Sequence, residues 1–372
     1  MMKKYLAVLL GLLLLLLCAC GPKDDGEKPD PKPGGDPEPE YGYVSMLTDR
    51  KFENGFVMRG LGAPIYGDPI ETFGDLYDPN VYFQYGKSGL PVPEWNLCQW
   101  ATRYPFHDVN NESPYLPEGK LNYSFTELSE GKYQYLNTSK RIIVDTNTGE
   151  YSLGLKASEC FKYPRTDKQE WPHWFIEKRI WNVPDPPMQT SVAQSQSIKI
   201  RFDVRLNSFE DKMEGQADPS LHSGMCVFYL FVANRNPNTK MFTDMLWFGL
   251  TVFDNRYVLS SEQSFPDVGS KGSATEKWIF NIPGSAFFTP DYNLKTPDNQ
   301  PILNEWRSVD VDVLEWIDKA FRAAQANGYM KDSRWENLYI NGMYFGYETP
   351  GTYDIDMSFK NVDIVSYIPL GK

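Results

Sequence analysis

Histidine is nearly missing from this sequence. Three His in 372 residues, His107, His173 and His222, leave little room for histidine-centred chemistry. None stands in a nucleophile context that would complete a Ser-His-Asp triad. The chain also lacks a Gly-rich loop running into Lys-Ser/Thr, a GxGxxG after a strand, an HExxH and a GxSxG. These absences exclude phosphate-loop, dinucleotide-binding, zinc-protease and α/β-hydrolase signatures. Cysteine is scarce: Cys18 and Cys20 stand near the start, leaving Cys98, Cys160 and Cys226, an odd set with no CxxC spacing. A structural zinc site is excluded, a single disulfide is allowed, and buried free thiols are expected. Basic charge is short as well, with 37 Lys+Arg against 49 Asp+Glu and a net charge of -12. That balance excludes nucleic acid as a partner and excludes docking of the protein surface on anionic lipid.

The first forty residues carry an address. Lys3 and Lys4 precede an apolar run from Leu6 to Leu17, shorter than the ~20 residues a membrane-spanning helix needs. Leu17-Cys18-Ala19-Cys20 resembles the bacterial lipobox, which implies removal of residues 1–19 as a lipoprotein signal peptide and lipidation of Cys20. Residues 20–40 hold Pro, Gly and acidic residues with no side chain able to enter a core, and read as a disordered tether. Loss of Lys3 and Lys4 moves the charge from -12 to -14, of which the tether carries -4 and residues 41–372 carry -10.

From Tyr41 the pattern is one of short apolar runs between Gly, Pro, Asn and Asp. Ile198–Leu206 alternates over nine residues and predicts a half-buried strand. Met225–Val232 is continuously apolar and suits a strand covered on both sides. Met245–Phe253, Lys277–Ile282, Leu338–Tyr347 and Tyr353–Ile368 continue the series, with further strands at Arg141–Val144 and Glu150–Leu155. One amphipathic helix is predicted near 312–326, from Val313, Trp316, Ile317, Ala320, Phe321 and Ala324, with Asp310 or Asp312 as cap and Asn327-Gly328 as stop. No internal repeat is present. The expected fold is mainly β, an antiparallel, jelly-roll-like sandwich with long loops, in which 41–140 either decorates the body or forms a lobe of it.

Aromatics are abundant where other chemistry is missing. Ten Trp, 23 Tyr and 22 Phe make up 15% of the chain. Sugar rings stack their apolar C–H faces on Trp and Tyr, and their hydroxyl rims pair with Asp, Asn, Gln, Glu and Arg. Trp247 with Asp254, Asn255 and Arg256, and Trp171 with His173 and Trp174, combine both features. Trp95 and Trp100, five apart, face opposite ways on a strand, so at least one enters the core. Glu348, at a strand-to-turn corner, is a further sugar-binding candidate and the one place where structural calcium is allowed; no other cofactor is expected. No Glu-x-Asp or Glu-x-x-x-Glu flanked by aromatics marks a catalytic pair, so no catalytic residue is assigned.

The lipobox-like Leu17–Cys20, the acidic Lys23-Asp24-Asp25 and the Pro/Gly tether resemble surface lipoproteins of Bacteroidetes polysaccharide-utilisation systems. The body, through Trp247–Arg256 and the strand after Pro350-Gly351, is similar in general character to jelly-roll, concanavalin-like or galactose-binding-like modules. The resemblance implies a protein anchored by lipid to the outer membrane, facing the exterior, with polysaccharide or oligosaccharide as ligand and other glycan-uptake surface proteins as partners. Its first implication is a non-catalytic glycan-binding accessory. The alternatives are a polysaccharide-degrading β-sandwich enzyme, either glycoside hydrolase or lyase, and a structural or adhesive surface protein.

Overall fold

Alternation of side chains is what sorts this chain into layers. In a computed structural model, residues 40–60, 82–101, 104–106, 122–160, 164–167, 169–180, 187–238, 244–268 and 275–370 are described. The signal segment, Cys20 and the tether lie outside them, as do His107 and Trp181. Strands are numbered β1 to β17 in chain order. One sheet, sheet A, runs β15 (Trp306–Asp312), β10 (Ser197–Asp211), β17 (Tyr353–Pro369), β8 (Glu150–Lys156), β7 (Lys140–Asp145), β6 (Lys132–Leu136) and β5 (Ser124–Ser129). Strand β1 (Tyr41–Ser45) pairs with the far end of β17, beyond the stretch that β8 occupies. On β10, Ile198, Ile200, Phe202, Val204 and Leu206 are fully buried while Lys199, Arg201, Asp203 and Arg205 alternate outward.

Sheet B runs β13 (Gln263–Pro266), β14 (Trp278–Ile282), β12 (Met245–Asp254), β11 (Met225–Asn234), β16 (Leu338–Glu348), β9 (His173–Arg179), β4 (Trp95–Trp100), β2 (Phe56–Gly60) and β3 (Tyr82–Phe83). The fold is the expected β-sandwich, with two parallel pairs, β12·β14 and β2·β4, in an otherwise antiparallel framework. Residues of 41–140 supply strands to both sheets. One core fills the space between the sheets, from Ile200, Phe202, Met357 and Phe359 on one side to Phe228, Leu230, Phe248 and Phe345 on the other.

The helix forms where the 3.6 period appears. After the four-residue α1 (Ala157–Cys160), α2 (Leu314–Ala326) buries Ile317, Ala320, Phe321 and Ala324 against the core, with Trp316 half-buried beside them. Asp312 Oδ1 accepts a hydrogen bond from the Leu314 N–H at 3.1 Å and so serves the helix entrance. Cys98, Cys160 and Cys226 are buried, and no disulfide joins any two of them. Trp95 packs in the core and Trp100 lies on the opposite face of sheet B.

Candidate functional site

Sheet B has two apolar faces, and only one of them meets sheet A. Leu97, Trp174, Ile176, Phe228, Leu230, Phe248, Leu250, Phe345 and Tyr347 enter the shared core. Their neighbours in sequence, Cys98, Phe175, Val227 and Tyr229, form a second cluster on the outer face, joined by Trp100, Met225, Trp247, Ile279 and Tyr344. Strands covered on both faces read as continuous apolar runs, which is why β11 shows no alternation. The outer cluster floors a groove of about 1040 Å³, walled by loop residues that include Arg165, Trp171, Arg256 and Asp267. Aromatic rings run across that floor. Trp100 meets Phe175 at 5.9 Å and Tyr344 at 6.1 Å, and Tyr344 meets Trp247 at 5.2 Å.

One row across sheet B brings polar groups to the groove. Strand register sets Asp254, Met225, Glu348, His173 and Trp100 abreast on five neighbouring strands. Glu348 is half-buried, walled by protein but open to the groove. Burial pushes its carboxyl up to about 7, and the charge of Asp267 adds to the rise. The Trp171 indole N–H pulls the other way without closing a regular hydrogen bond, and that buried N–H has no partner. Beside Glu348, His173 Nδ1 lies 2.8 Å from the Trp171 carbonyl. A carbonyl only accepts, so Nδ1 carries the proton and Nε2 keeps its lone pair. Burial holds this imidazole neutral, with its pKa lowered to about 4.

The other end of the floor is held by a short relay. Trp247 Nε1 donates to Thr275 Oγ1 at 2.8 Å, and Thr275 donates to Asp267 Oδ2 through both its hydroxyl (2.5 Å) and its backbone N–H (2.9 Å). The second carboxylate is thereby fixed at the groove rim. Behind Trp247 the floor needs a glycine. A Cβ on Gly249 would stand 2.1 Å from Asn281 Oδ1 and 2.4 Å from Tyr229 Cε1. Only the bare backbone lets those two groove-lining side chains lie across the strand. Burial raises the Tyr229 hydroxyl's pKa, and the charge of Glu348 raises it further.

The residues singled out from the sequence are divided by this arrangement. Trp247, Arg256, Trp171, His173 and Glu348 line the groove. Trp174 points the other way into the core, where its indole N–H donates to the Arg141 carbonyl at 3.0 Å. Asp254 is buried under Arg256, which grips it at 2.9 and 2.7 Å. Asn255 closes the turn, its Oδ1 accepting from the Gly224 N–H at 2.8 Å. The expected turn after β12 is present, but its Asp254 and Asn255 brace the wall rather than face the groove. An extra residue, Val252, opposes no partner between Thr251 and Phe253, and this bulge turns Phe253 into the core. Sequence reasoning did not single out Arg165, Tyr229, Tyr344, Asn281 or Asp267. Arg165 and Asp267 stand in loops, which carry no periodic signal. Among the described residues, no group of three or more His, Cys, Asp or Glu is placed to hold a metal ion, at Glu348 or elsewhere.

No protein-family model matches this sequence, and no curated protein sequence does either. Solved structures with some likeness include the endoglucanase Cel12A of Rhodothermus marinus, at 10% identity and a TM-score of 0.33, covering 66% of this chain and 97% of that one. A native family 12 xyloglucanase of Bacillus licheniformis gives 12% and 0.33, over 66% and 99%. A metagenome-derived glycoside hydrolase family 12 endoglucanase gives 10% and 0.34, over 66% and 96%. Likeness at TM-scores this low aligns no individual residue and says nothing of activity.

Proposed function

We propose that this protein is a polysaccharide hydrolase whose substrate lies along the groove of sheet B, with Glu348 as proton donor. The supporting observation is a carboxyl on an aromatic groove floor that burial holds protonated toward neutral pH, with a second carboxylate, Asp267, lining the same groove. Sugar rings would stack on Trp100, Tyr344 and Trp247, and Gln169 and Asn281 would meet their hydroxyls. Glu348 gives its proton to the glycosidic oxygen as the C–O bond breaks, while a water molecule adds to the anomeric carbon and passes its proton to Asp267. Asp267, whose charge opposes ionisation of Glu348, is the second carboxylate such a reaction needs. A carboxyl held protonated toward neutral pH can hand its proton to a leaving oxygen, which favours cleavage over the accessory role first expected. We further propose that Cys20 carries lipid and displays the body on the outer face of the outer membrane.

Binding without cleavage is the second reading, favoured by the two hydrogen bonds that tie Asp267 to Thr275. Incubating the full-length protein and Glu348→Gln with a panel of polysaccharides separates the two. Hydrolysis predicts reducing ends from the native protein, cut about 10²–10⁴-fold in the variant, while retardation in glycan-containing gels persists in both. Retardation without products would establish the binding-only reading instead.

A further inference from the structure

Trp171 carries a second group besides His173. The guanidinium of Arg165 lies over its ring, Cζ 4.7 Å from the centroid, and lines the groove. Arg165 is only 9% exposed, yet among the described residues its side chain donates one hydrogen bond, from Nε to the Thr166 carbonyl at a long 3.5 Å. Asp167 and Glu170 act on it only at a distance, and no described carboxylate forms an ion pair with it. Arg256, which also lines the groove, has both prongs of its fork filled by Asp254. The Arg165 loop is nevertheless firmly placed. His222 Nε2 donates to the Arg165 carbonyl at 2.8 Å, while its Nδ1 accepts from the Asp218 N–H at 2.9 Å, which fixes the tautomer. An arginine whose backbone is held and whose side chain is largely buried thus presents guanidinium N–H donors, unpaired among the described residues, to a groove. Burying such a charge unpaired is costly, and a planar oxyanion is the group that matches its fork.

We infer that the Trp171 end of the groove takes an anionic sugar, with Arg165 binding the carboxylate of a uronic acid, or a sulfate ester, on the glycan chain. This rests on the groove being the glycan site and names the class of glycan. The body's net charge of -10 gives no long-range attraction for such a chain. Selectivity therefore comes from contact at Arg165 and not from the overall field.

Titration calorimetry on the full-length protein tests this with oligogalacturonate, oligoguluronate and acidic xylo-oligosaccharides. Each is compared with its methyl ester, which keeps the backbone and removes the charge. A free acid should bind about 10- to 100-fold more tightly than its ester. Arg165→Gln should bring acid and ester within about threefold of each other, because both changes remove one interaction. Arg165→Lys should keep part of the preference, and it decides the matter with the native acid–ester comparison if Arg165→Gln melts early. Preference for a sulfated saccharide, lost in Arg165→Gln, would also support the inference and assign the anion as sulfate. Binding or cleavage of neutral glycans with no acid preference, or a preference that survives Arg165→Gln, overturns the inference and leaves the groove reading intact. Failure to bind any saccharide overturns both.

Discussion

Glu348 and His173 face each other across adjacent strands, and their displaced ionisations pull stability in opposite directions. Glu348 is raised from 4.5 to about 7, so its contribution is fully present below pH 4.5 and is lost as pH rises through 7. His173 is lowered from 6.5 to about 4, so its contribution is present above pH 6.5 and is lost as pH falls through 4. Each is worth at most about 3 kcal/mol, and less because the groove admits water. Thermal melts between pH 4 and 7 should therefore show a shallow profile in the native protein. His173→Gln should make the fold gain stability toward acid, and Glu348→Gln should make it lose stability; matching slopes in all three would refute the opposition. If Glu348 is the proton donor, as proposed, hydrolysis should fall as pH rises through about 7. Thr275→Val removes the hydroxyl tie to Asp267 and keeps the backbone N–H; a looser Asp267 should weaken the charge acting on Glu348 and move that limb to lower pH, and an unmoved limb would remove the Thr275 hydroxyl from this role. Trp247, Trp171, His173 and Glu348, which line the groove, were singled out from the sequence by residue type, Trp247 also by strand spacing and Glu348 by its place at a strand-to-turn corner. Arg165 and Asp267 could not, because their importance comes from what loops bring near the floor.

At the level of elements, the strands that were legible share a clear period or an unbroken apolar run: β10, β11, β12, β16 and β17. Short edge strands such as β3 and β13 have too few residues to show either signal, and in β15 only Val309 and Val311 alternate with polar residues before the helix begins. The bulge at Val252 marks where reading by strict alternation breaks down, since one added residue moves Phe253 from the outer face to the core. On the same strand Gly249 is where β12 yields space to Tyr229 and Asn281. Gly249→Ala should cost roughly 1–3 kcal/mol through overpacking and lower the melting temperature by a few degrees. It should also weaken glycan retardation, because Tyr229 and Asn281 must leave the floor. A variant with native melting and native retardation would show that the strand can absorb the methyl group.

The aromatic enrichment of the whole molecule divides into two parts with different work. Trp95, Trp174, Phe202 and Phe345 fill the core between the sheets, where each large side chain contributes about 1.5–3 kcal/mol. Trp100, Tyr229, Trp247 and Tyr344 form an outer apolar face that nothing in the described chain covers entirely, and that face floors the groove. Composition announced the aromatics, and only the register of sheet B separates those that hold the fold from those that can meet a sugar. The most direct test of the central claim is reducing-end release from polysaccharides, native protein against Glu348→Gln, at pH 6. We predict soluble oligosaccharide products from at least one glycan and their loss in the variant while binding persists. Products released equally by both proteins would contradict the claim.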